Sequence, residues 1–393
     1  MCGVIVVSGS LAQRPRNGGH TWVMLQYLLG LQRLGRPVLF VDWLAPSMCV
    51  DARGLPCAAG DSDNLRYYRE VVRSFGLDGA HCLLLAEDEG RATGEALCGL
   101  TRRELLERMR GADLLLNIMG FLRDPEILDG ARRRAFVDID PGFGQMWRAL
   151  GLADVLGGHD LYVTVGRNIG HPECTVPDCG LQWIDTSPPV VLEHWPVAPP
   201  ASGPFTSIAT WRGPFAPIEY QGVRYGLRVH AFRDFLELPT LCSPRFEIAL
   251  AIDEQDGADL QRLEDNSWSL VDPLQAAGDP FAYRRYISTS TAEFTVAKDI
   301  YVRSHSGWFS DRSACYLASG RPVIAQDTSL SRHYPTDAGL LTYGTVDEAR
   351  GAVEEVARDW PRHARAARSL AEEFFDSDRV LGSLLERLGV ESN

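Results

Sequence analysis

Apolar residues along this chain recur in two alternating patterns, short unbroken runs and longer stretches with helical spacing. The first run covers residues 4–8, and a polar loop to Gly19 separates it from a helical pattern over residues 20–34. There Trp22, Leu25 and Leu29 make an apolar stripe flanked by Leu28 and Leu31, with Gly35 as a stop. A second run, 37–41, ends at Asp42. Helical spacing returns at 65–75 and 101–110, and buried-strand runs at 81–86, 113–118, 135–139 and 161–165. Such alternation predicts a parallel sheet covered by helices.

Between residues 166 and 200 the pattern breaks, with Pro at 172, 177, 188, 189, 196, 199 and 200, which reads as a loop or hinge. It then restarts. Strands are expected at 205–210, 246–252 and 268–271, helices at 225–236 and 346–356, and helix formers at 370–388 interrupted near Asp376-Ser377-Asp378. A length of 393 residues suits two such units better than one. The division expected is 1–200 for one Rossmann-like unit with its hinge, 201–375 for a second, and 376–393 for a terminal helix.

Residues 298–328 carry the densest chemistry. Ile300-Tyr301-Val302 reads as a strand, Ser306-Gly307 as a tight turn, Ser310 or Asp311 as the cap of a helix to Ala318, and Val323-Ile324 as the next strand beyond Gly320 and Pro322. A helix starting at such a turn aims free N–H groups and a positive dipole end into the crevice above the sheet, where a diphosphate can sit. The competing reading is that Gly307 and Gly320 only shape a crossover.

His305, Ser306, Gly307, Trp308 and Ser310, followed by Ala318, Gly320, Pro322, Val323 and Ile324, resemble the His-x-Gly-Trp-x-Ser and Ala-x-Gly-x-Pro-Val signature of nucleotide-sugar-dependent glycosyltransferases. Asp327-Thr328-Ser329 and the 292–298 segment are similar to an actinobacterial natural-product group, the bleomycin-type glycopeptide enzymes among its possible members. The resemblance covers about residues 283 to 348. It departs at Ser313, Phe309 and Ser329, where relatives carry a ribose-binding Glu, an Asn and a Gly. It implies the GT-B architecture: α/β, two Rossmann-like domains whose parallel sheets face a central cleft, with the acceptor bound by 1–200, the nucleotide sugar by 201–375, and the helix in 376–393 crossing back to the first domain. It also implies a donor diphosphate held near Ser310, Asp311, His305 and Lys298, donor-sugar hydroxyls at Asp327 and Thr328, and no permanently bound cofactor or metal. The donor would be a nucleotide-diphosphate sugar, the acceptor a small or glycopeptide-like alcohol, and the protein a monomer or homodimer. A sugar-nucleotide epimerase or hydrolase of this fold and a non-catalytic binding protein are the alternatives.

Further candidates lie at expected strand ends. His20, at the mouth of the first loop, is either a base for the acceptor hydroxyl or a capping group, with Asp138 or Asp140 available to orient it. Trp211, Arg212 and Gly213 follow the strand at 205–210; Arg212 suits bidentate phosphate contact or a surface salt bridge. Lys298 is a diphosphate partner on the resemblance, and Glu293 either binds a hydroxyl or pairs with Lys298. His171, Cys174 and Cys179 lack a fourth clear ligand and a zinc-like spacing, so no metal is expected.

A net charge of −13 argues against a nucleic-acid surface, so no nucleic-acid partner is expected. Nine scattered cysteines are not a disulfide framework, no membrane association is expected, and without a signal-like start the cytoplasm is the expected location.

Overall fold

The computed structural model describes residues 3–86, 94–200, 202–213 and 215–390. Two sheets organise them. The first contains β1 (Val4–Ser8), β2 (Val38–Leu44), β3 (His81–Leu85), β4 (Ala96–Gly99), β5 (Ala112–Ile118), β6 (Arg134–Asp138), β7 (Leu161–Thr164) and β8 (Trp183–Asp185). Their spatial order is β4-β3-β2-β1-β5-β6-β7-β8, parallel except for the antiparallel β3/β4 pair at one edge. In register, Ile5 lies between Val38 and Leu114, so apolar β1 sits mid-sheet with helices on both faces. The proline-rich stretch is loop except for β8, an edge strand of three residues.

The second unit contains β9 (Phe205–Thr210), a small hairpin of β10 (Ile218–Tyr220) and β11 (Val223–Tyr225), then β12 (Phe246–Ala251), β13 (Trp268–Val271), β14 (Ala292–Thr295), β15 (Val323–Gln326) and β16 (Leu340–Tyr343). Its six-stranded sheet has the order β13-β12-β9-β14-β15-β16 and is parallel throughout. In each sheet the chain winds outward both ways from a central strand, β1 and β9. The crevice beside each is the place where an open α/β sheet takes a ligand.

One element differs in kind from the pattern. Ile300-Tyr301-Val302, expected as a strand, lies in a short helix, Asp299–Arg303. The strand is displaced to Ala292–Thr295, every residue of which is buried. A short apolar run fits either structure, and here β9 and β15 leave room for only one strand between them.

Contacts of the first helix tie the units together. The last helix, Ser377–Arg387, packs on the first helix, Gly18–Arg33, at Gly30, where a Cβ would fall 2.6 Å from Leu381 Cδ1. Val190 exchanges backbone bonds with Phe375 and Ser377, and Arg33 forks onto Asp378 with two bonds of 3.0 Å. At the start of the Gly18–Arg33 helix, Trp22 Nε1 donates to Pro280 O at 2.8 Å, and only a glycine at 18 clears Asp279 O. None of the helices among the described residues is long and apolar enough to cross a membrane.

Candidate active site

The carboxyl ends of both sheets converge on the segment from Val296 to Asp311. Gly307, at φ +69, turns the chain tightly there, and its N–H donates to Thr328 O at 2.8 Å. Thr328 Oγ1 donates back to Trp308 O at 2.6 Å, so buried Thr328 splints the turn. Asp327 accepts from Leu330 N and the Ser331 hydroxyl, organising the next loop. Ser310 caps the Asp311–Ala318 helix by accepting from Arg312 N at 3.2 Å.

This turn is docked on the first unit. Asn168 N donates to Ser306 O at 3.0 Å, Asn168 Nδ2 to His305 O at 2.9 Å, and Thr175 N to Ser304 O at 3.0 Å. His305, exposed and at φ +53, places Nδ1 3.0 Å from the Ser329 hydroxyl, while Asn168 Oδ1 lies 2.7 Å from His333 Nε2. These bonds hold the candidate phosphate turn against the first unit.

Charge accumulates beneath it. Lys298 Nζ reaches across to Asp140 Oδ2 at 2.5 Å, amid the rings of Phe143, Phe215 and Tyr301. Tyr301 OH donates to the other Asp140 oxygen. Burial pushes the Tyr301 phenol well up, the Asp140 charge adding to it. Arg228, which carried no sequence signal, donates to Val296 O; burial first and Arg312 second lower it to about 10, leaving it cationic at neutral pH. Arg312 was also missed, although it lies two residues past Ser310. Its Nε meets Glu293 Oε1 at 2.5 Å, and it also donates to Ile208 O at 2.8 Å and Thr295 Oγ1 at 2.6 Å.

The remaining candidates are spread out. Glu293 is fully buried and pairs with Arg312, so its expected alternative partner, Lys298, is not the one it takes. Arg212, half exposed, forks onto Asp256, and Trp211 is buried with Nε1 3.0 Å from Asp259 Oδ2. Gly213 follows at φ +77. His20 does not meet Asp138 or Asp140. Its Nε2 lies 2.9 Å from the Ser10 hydroxyl and 3.2 Å from Ser10 O, and burial, with Arg14 second, lowers its pKa to about 4. The imidazole is therefore neutral at pH 7 and a weaker proton acceptor than an ordinary histidine. Asp138 instead accepts from Gln145 Nε2 and Thr164 Oγ1 inside the first unit.

Between the units lies a cavity bounded by the Trp22–Tyr27 stretch, Ile139, Val165, Pro188 and Pro189 on one side and Trp308, Phe309, Asp311 and Cys315 on the other. Its walls are mostly apolar, and Asp311 is the charged side chain among its lining residues.

Neither a protein-family profile nor a curated protein sequence matches the chain. Solved structures do share its fold. An α-glucosyltransferase in complex with UDP-glucose and DNA containing an abasic site superposes with a TM-score of 0.60 at 11% identity, over 99% of each chain. HepE from Anabaena, in complex with UDP and glucose, gives 0.58 at 12%, over 98% of this chain and 99% of that one. AviGT4, a glycosyltransferase involved in avilamycin A biosynthesis, gives 0.55 at 13%, over 98% and 96%. The architecture is therefore that of the GT-B glycosyltransferases, α/β with parallel-dominated sheets. The expectation of no nucleic-acid partner does not stand: neighbours of this fold were crystallised with DNA, including a 13-mer with a central A:G mismatch. Net charge is a whole-chain sum, and a local surface can bind phosphates against it.

Proposed function

We propose that this chain is a glycosyltransferase that moves a sugar from a uridine-diphosphate donor to a hydroxyl of a small or peptide-like natural-product acceptor. The supporting observation is the cleft between the carboxyl ends of two parallel sheets, in a fold shared almost end to end with transferases bound to UDP or UDP-glucose. The leaving diphosphate gains negative charge as the glycosidic bond breaks. Lys298, Arg228 and the amide groups near Ser310 are the groups this reading offers to that charge. In this reading Lys298 exchanges Asp140 for phosphate when the donor enters.

The acceptor hydroxyl enters from the first unit. His20, neutral and oriented by Ser10, receives its proton if the sugar inverts and positions the hydroxyl if it does not. The natural-product assignment draws on the resemblance in residues 292–329 and on AviGT4.

The test is incubation of a UDP-sugar panel with hydroxylated aglycones, peptides and duplex DNA, followed by mass spectrometry. An acceptor mass increased by one sugar residue, with UDP released, is expected. Donor breakdown without an acceptor product would mean a hydrolase, and an isomerised donor an epimerase.

A further inference from the structure

The cavity between the units contains two polar groups that the proposed reaction leaves unused. Asp311, at the first position of its helix, lines it and makes no ion pair among the described residues. The adjacent Arg312 is turned away to Glu293, Ile208 and Thr295. Tyr27, from the Gly18–Arg33 helix, also lines the cavity; it is 2% exposed, and its hydroxyl has no hydrogen-bond partner among the described residues. Gln26 is already committed, accepting from Val191 N at 2.7 Å and donating to Cys315 Sγ. Among the described residues no lysine or arginine lines the space, and Trp22, Trp308 and Phe309 supply aromatic walls.

A carboxylate facing apolar walls is costly unless a cation reaches it. The helix dipole makes a carboxylate tolerable at that position, but it does not explain a buried, unpaired phenol in the same cavity. A protonated amine answers both features: its N–H groups donate to Asp311 and to the Tyr27 oxygen, and its charge is attracted to the indole and phenyl faces. We propose that this cavity seats the acceptor, and that the acceptor carries a protonated amine on an apolar body. The inference rests on the transferase reading for the word acceptor, but the binding preference can be measured apart from it.

The probes are benzylamine and benzyl alcohol, which share a ring and differ in charge, titrated against the full chain by ligand-observed NMR with and without UDP. Benzylamine is expected to bind at least tenfold more tightly at pH 7. That ratio should fall to near one in Asp311→Asn, and Tyr27→Phe should weaken benzylamine severalfold. Thermal unfolding and far-ultraviolet circular dichroism of both variants establish that the fold is kept. Equal affinity for the two probes, or an undiminished ratio in Asp311→Asn, overturns the proposal while leaving the transferase reading intact. Failure of UDP to bind the parent protein counts against the transferase reading instead.

Discussion

Replacing Glu293 by Gln separates a structural role from a ligand-binding one. Glu293 is fully buried in β14, and its partner Arg312 has a side chain only 11% exposed. Breaking a buried pair by neutralising one member costs about 3–5 kcal/mol, because the other charge stays behind. Arg312 would retain Ile208 O and Thr295 Oγ1, and Glu293 Oε2 makes no bond that Gln would forfeit, so the lower end applies, about 3 kcal/mol. For a unit of this size each kcal/mol shifts the midpoint by roughly 2–4 °C, giving a fall of about 6–12 °C. Calorimetry and far-ultraviolet circular dichroism read it. Glu293→Leu combined with Arg312→Met should recover much of the loss, since the orphaned charge goes too. UDP affinity, measured where parent and Glu293→Gln are both folded, should stay within about twofold, an energy difference below 0.5 kcal/mol. A Tm within 2 °C of the parent together with a tenfold weaker UDP complex would refute the reasoning and return Glu293 to the ligand.

Lys298→Met should raise the Kd for UDP about tenfold, the worth of one charge-assisted bond, whereas Asp140→Asn, which frees Lys298, should leave it unchanged or lower it; calorimetric titration reads both. Gly307→Ala places a Cβ 2.9 Å from the Asn168 side chain at a positive φ, so a loss of about 1–2 kcal/mol in thermal unfolding is expected. Burial raises the Asp138 carboxyl from 3.8 to about 7. Such a group favours the fold in its protonated form, so its contribution is complete below pH 4 and is lost as pH rises through 7. Relative to the parent, Asp138→Asn should therefore gain stability between pH 4 and 8, by up to roughly 4 kcal/mol; a difference independent of pH in urea titrations would exclude this.

Much of the site's framework was legible because it depends on local chemistry. Gly307 before a helix, Ser310 at its cap and Gly320 with Pro322 after it need only their own backbone preferences to be placed, and the structure has the turn, the cap and the stop. The alternation of apolar runs with helical spacing likewise marks two stacked α/β units, because both faces of a parallel sheet must be covered. Strand against helix at Ile300-Tyr301-Val302 was beyond local reasoning, since three apolar residues satisfy either period and only the space between β9 and β15 decides.

Pairing was decided by tertiary structure alone. Asp140 and Lys298 are 158 residues apart, and Tyr27 and Asp311 meet at one cavity from helices of different units. Periodicity assigns each of these residues to a face and carries no information about which distant face opposes it. Arg228 shows the same limit: its importance lies in the acids and carbonyls that the fold brings to it, and none of them is its neighbour in the chain. The sequence determined which segments turn, cap and bury. Long-range packing determined which charges meet, because electrostatic energy depends on separation in space and on desolvation, and both exist only once the two sheets face each other.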